Sequence, residues 1–136
     1  MRYHTDYQQT HDIDWFFRYQ NYLFHVASNG GVIPKKIDAK KNRLAQSMII
    51  GLPDISGSHL LVNNEEGLIL TSFLSYAKKG LISIDRYDED FDKRNYFVVA
   101  WPDIFLEPTP NLIEVVPEID IEEDEINIQG IQTLLQ

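Results

Sequence analysis

The chain has 136 residues, 43% of them hydrophobic, 12% aromatic and 24% charged, with a formal net charge of −9 at pH 7. That length fits one domain able to bury about two-thirds of its unfolded surface, and the aromatic content excludes general disorder. The absence of cysteine excludes disulfides, zinc-thiolate sites and thiol catalysis, and no run approaches the ~20 apolar residues that span a bilayer.

One domain over 1–136 is expected, with a compact body over about 10–116 and an acidic C-terminal extension over about 117–136. The opening residues Met1 to Tyr7 lack the apolar run of an export signal, so a cytoplasmic protein is expected. Asp12 to Ala27 reads as a β-hairpin. A two-residue loop at Gln20-Asn21 sets Tyr19 opposite Tyr22, Phe17 opposite Phe24 and Trp15 opposite Val26, making one face apolar. The other face sets Phe16 by His25 and Asp14 by Ala27, and Ser28-Asn29-Gly30-Gly31 stops the second strand.

Asp38 is the expected N-cap of a first helix whose buried side carries Leu44, Ala45, Met48 and Ile49, with Gly51 and Pro53 ending it. Asn63 and Glu66 resemble a capping box opening a second helix, with Ile69, Leu70, Phe73, Leu74 and Ala77 inward and Gly80 as its left-handed stop. Leu81 to Arg86 and Tyr96 to Trp101 read as two strands joined by a polar turn. Leu112 to Val116 reads as a further, edge strand among prolines, and the apolar residues from Ile126 to Leu135 as a strand and a short helical turn. The expected fold is α+β, a mostly antiparallel sheet of four to six strands with two helices on one face.

Charge is unevenly placed. Residues 1–94 hold all twelve Lys and Arg against twelve Asp and Glu, whereas residues 95–136 hold nine carboxylates and no base. Such an end repels phosphate backbones and anionic lipid, so neither duplex nucleic acid nor a membrane surface is expected as partner. A basic protein partner is. The residues expected to meet it are Glu114, Glu118, Asp120, Glu122, Glu123, Asp124 and Glu125. The function expected is a non-enzymatic protein-binding module of the kind that inhibitor, immunity and adaptor proteins represent.

A second reading is a regulator binding a small molecule or anion through Lys36, Lys40 and Arg43, which share a face if helical geometry reaches back to Lys36. An enzyme of unassigned class is a third, with His11 beside Asp12 and Asp14 as a conceivable base and orienting carboxylate. No catalytic residue, metal ligand or cofactor is assigned. The histidines 4, 11, 25 and 59 form no zinc-binding spacing, no Gly-x-Ser-x-Gly or phosphate loop occurs, and Ser56-Gly57-Ser58-His59 reads as a flexible connection. Asp88, Asp90 and Asp92 alternate like a calcium loop, but the sixth position holds Lys93 and the twelfth Val99, where glycine and glutamate are needed.

Overall fold

A computed structural model of the chain describes residues 1–62 and 70–135. The described elements are α1 (Thr5–Thr10), β1 (Asp14–Tyr19), β2 (Tyr22–Ala27), α2 (Ala39–Ile50), β3 (Ser58–Leu60), α3 (Thr71–Lys78), β4 (Ile82–Arg86), β5 (Asn95–Pro102), α4 (Pro110–Val115), β6 (Asn127–Gln129) and α5 (Ile131–Leu134). The fold is α+β. Its sheet runs β1-β2-β4-β5-β3, with β6 also on β5.

The hairpin forms in the expected register, Tyr19 opposite Tyr22 through Asp14 opposite Ala27. Gln20 and Asn21 take φ of 50° and 68°, the left-handed pair that matches the twist of the flanking strands. The sheet is mixed: β1-β2, β4-β5 and β3-β5 are antiparallel, whereas β2-β4 and β5-β6 are parallel. A parallel β2-β4 pair needs a crossover, and α2 and α3 lie on it in the chain.

Side chains alternate across the sheet, so each face has its own cover. Phe16, Leu23 and Leu81 pack with Ala45 and Ile49 of α2, Tyr76 of α3 and Leu112 of α4. Trp15, Phe17, Phe24, Val26, Ile82, Ile84 and Tyr96 face the other way, against Ile33, Ile37 and the C-terminal isoleucines 119, 121, 126, 128 and 131. The two expected helices therefore share one face, and the acidic segment closes the opposite one.

Three local expectations change. Leu112 to Val115 belongs to helix α4, with Val116 as its C-cap, and not to a strand: Thr109 accepts from the Leu112 N–H as N-cap and Pro110 takes the first turn, where its missing N–H costs nothing. Leu44 is 51% exposed, while Asn42 is buried. Asn42 donates to Tyr3 Oη at 3.0 Å and to the Asp14 carbonyl at 2.9 Å, and these bonds rotate α2 about its axis. His59 lies in β3, paired with Trp101, where a connection was expected. The Asn63–Glu66 capping box and Ile69 lie outside the described residues. Asp38 caps α2 as expected, accepting from Lys41 N–H at 2.9 Å.

Candidate functional site

The acidic segment is anchored along the edge of β1. Arg18 N–H donates to the Pro117 carbonyl and Ile119 N–H to the Arg18 carbonyl, both at 2.9 Å, and Arg18 Nε donates to the Val116 carbonyl at 2.9 Å. From there the chain alternates. Ile119 and Ile121 are buried, so Glu118, Asp120 and Glu122 face solvent. Asp120 Oδ1 then accepts from Glu122 N–H at 2.9 Å and Glu123 N–H at 3.3 Å, opening a turn that Ile126 N–H closes onto the Ile121 carbonyl at 2.8 Å.

Of the seven carboxylates expected to meet a partner, Asp124 alone is ion-paired among the described residues, to Lys36 at 3.2 Å. Arg94 also donates to its carbonyl. Glu114 stands exposed on α4. Two clefts flank the Pro117–Asp120 ridge and share Lys36. One, of about 470 Å³, lies beside Tyr19, Gln20, Glu118 and Asp120. The other, of about 220 Å³, lies beside Asp38, Lys41 and Glu114.

The three candidate anion-binding cations face different surroundings. Helical geometry starts at Ala39, so Lys36 lies before α2 and turns to Asp124. Lys40 is exposed on the first turn of α2, and Arg43 lies over the Tyr3 ring with 5.9 Å to its centroid. Lys36 and Arg43 therefore line different cavities.

A polar row that the sequence did not disclose runs beneath α2. His25 is fully buried, with Nε2 2.7 Å from Asp14 Oδ1 and Nδ1 2.5 Å from Ser83 Oγ. A carboxylate only accepts, so Nε2 carries the proton, and in the neutral ring Nδ1 accepts from the serine hydroxyl. Tyr76 stacks on the imidazole at 3.9 Å, and Gln46 donates to Asp14 Oδ2 at 3.2 Å. Burial pushes the Tyr76 phenol above its ordinary range, against a hydrogen bond from Gln46 that lowers it.

The three residue types are those of a serine hydrolase, but the order of exposure is reversed. Ser83 is fully buried and the Asp14 side chain is 33% exposed. A nucleophile must reach substrate and its orienting carboxylate sits behind, so this row does not arrange Ser83 for acyl transfer. What it does is fix Asp14, whose outward side lines a cleft with His11, Asp12 and Arg43.

Asp88 and Asp90 are engaged in their own loop. Asp88 accepts from Asp90 N–H at 2.9 Å and Asn95 Nδ2 at 2.6 Å, which holds its carboxyl below the usual range, and Asp90 accepts from Asp92 N–H at 3.1 Å. Among the described residues no three His, Asp or Glu converge as a metal-ligand set. No described helix is long and apolar enough to cross a membrane.

Asp85 is the carboxylate with the largest perturbation among the described residues. Burial first, and the charge of Asp12 after it, push its pKa from 3.8 up to about 6 against a hydrogen bond from Arg86 N–H. A raised carboxyl pKa means the fold holds the proton more tightly than the unfolded chain does. Its stabilising contribution is therefore complete below pH 3.8 and lost as pH rises through about 6. Asp85→Asn is expected to be more stable than the parent at pH 7.5 by about 1 kcal/mol, discounted for partial exposure, with the difference vanishing near pH 4. Urea midpoints across that range check it, and a constant difference would refute the assignment.

These observations define a cysteine-free α+β protein with a carboxylate-rich ridge on one side of a mixed sheet. Compared with known protein families, curated proteins and solved structures, the chain matches none.

Proposed function

We propose that the protein is a non-enzymatic binding module that captures a basic protein partner through the ridge and turn from Glu114 to Glu125. The observation that carries this reading is the fixed presentation of carboxylates that have no ion-pair partner among the described residues. Glu118, Asp120, Glu122, Glu123 and Glu125 project from a segment whose intervening isoleucines are buried in the core. A pre-ordered array loses little conformational entropy on binding, and like charges held together steer a cationic surface at long range. Inhibitor, immunity and adaptor-like proteins work in this manner, and we place this one in the cytoplasm, where a cysteine-free composition is at home.

Glu118, Glu122, Glu123 and Glu125 make no side-chain hydrogen bond or ion pair among the described residues, so reversing them to lysine leaves the fold intact. Affinity purification from the native host at low salt is expected to recover a basic protein with the parent. The fourfold reversal is expected to lose at least about tenfold of that recovery, with the salt dependence of binding inverted. Equal recovery by both would refute the proposal.

A further inference from the structure

The Asp14 carboxylate opens into a cavity of about 250 Å³ between α1 and α2. One wall is aromatic: Tyr3 and Tyr7 stack with centroids 6.0 Å apart, and Tyr7 stacks on His11 at 3.9 Å. Arg43 also lines the cavity, its guanidinium over the Tyr3 ring and without a hydrogen bond or ion pair among the described residues. Two carboxylates line the cavity with it. Asp14 is fixed by His25 and Gln46 at 2.7 and 3.2 Å, and Asp12 spends Oδ1 on Asn29 N–H at 2.9 Å.

We infer that this cavity binds a free α-amino acid, with the ammonium on Asp12 and Asp14 and the carboxylate on Arg43. Charge decides between the simpler alternatives. An anion alone meets Arg43 but also two carboxylates, and an amine alone leaves the guanidinium unused. A short zwitterion satisfies both, and guanidinium-to-carboxylate pairing has the planar, two-bond geometry that makes it selective. Size restricts the ligand further, because about 250 Å³ lies below the ~300 Å³ at which drug-sized sites begin. Tyr3, Tyr7 and Ile13 offer apolar contact to the ligand's side chain. The buried Ser83–His25 pair thus acquires a purpose beyond packing, since it holds Asp14 in one orientation toward the cavity.

The test uses the full chain, labelled with ¹⁵N and titrated with each common L-amino acid, followed by the decarboxylated amine and the deaminated acid of the best binder. At least one amino acid is expected to shift the amide signals of His11, Asp12 and Gln46 saturably, with a dissociation constant of ~1 mM or tighter. The two single-charge analogues, and the Arg43→Gln and Asp12→Asn variants, are each expected to bind at least about tenfold more weakly. Asp12→Asn keeps the acceptor for Asn29, Arg43 is exposed, and the same spectra report whether each variant is folded. No saturable shift, equal binding of either analogue, or unchanged binding by both folded variants would overturn the inference. The fourfold lysine reversal of the acidic ridge lies outside the cavity and should leave amino-acid binding unaltered.

Discussion

Ile119→Ala is expected to lower the free energy of unfolding by about 3 kcal/mol, near the middle of the range for truncating a buried aliphatic side chain. Ile119 is fully buried in the cluster that contains Trp15, Phe17, Phe24 and Tyr96. Its neighbours are held by the Arg18 bonds on one side and the Asp120 turn on the other, so the chain has little freedom to collapse into the space left behind. Glu118→Ala, one residue away and solvent-facing, is expected to change stability by no more than about 0.5 kcal/mol. Urea denaturation of the two variants beside the parent separates a segment that belongs to the core from one merely attached to it. Parent-like stability of Ile119→Ala would mean that the acidic stretch is not anchored, and the rigid carboxylate surface would lose its physical basis.

The contrast between those two neighbours explains how the electrical asymmetry arises. Between Glu118 and Glu122 the period is two, so every isoleucine committed to the sheet turns a carboxylate to water. Lys36 neutralises Asp124, but the other carboxylates of the ridge and turn have no such neighbour among the described residues.

What could be read from the sequence was local. The hairpin register followed from period-two alternation and a two-residue loop, and Asp38 announced α2 by its spacing from the first apolar residues. The α4 signal is present in Thr109-Pro110, but the β-branched and apolar run from Leu112 to Val116 reads on its own as a strand. Asn42 could not be read as buried, because its partners Tyr3 and Asp14 are far away in the chain. The same holds for the candidate amino-acid cavity. His25 meets Ser83 only because β2 pairs with β4 in parallel, and nothing near either residue specifies that pairing. His11, Asp12 and Asp14 were visible as a group, whereas Arg43 and Gln46 join them only once α2 is laid against β1.

Gly31→Ala is expected to be still more damaging, with a loss of about 3 kcal/mol or more. A Cβ at Gly31 would fall 2.3 Å from both Cδ and Nε of Arg86 and 2.7 Å from Cζ, well inside contact distance. Arg86 has no room to yield. It is buried, and its guanidinium donates to three carbonyls, Ser28 at 3.2 Å, Asn29 at 3.3 Å and Asp90 at 2.8 Å. Two of those acceptors belong to the turn that carries Gly31, so pushing the side chain aside separates a buried cation from the groups that compensate its desolvation. A double-mutant cycle identifies the cause. Arg86→Ala removes the atoms that the new methyl would strike, so Gly31→Ala should cost less than about 1 kcal/mol in that background, leaving a coupling energy of at least about 2 kcal/mol. Thermal or urea unfolding of the four proteins measures it, and additive losses would show that the clash with Arg86 is not why glycine stands at position 31.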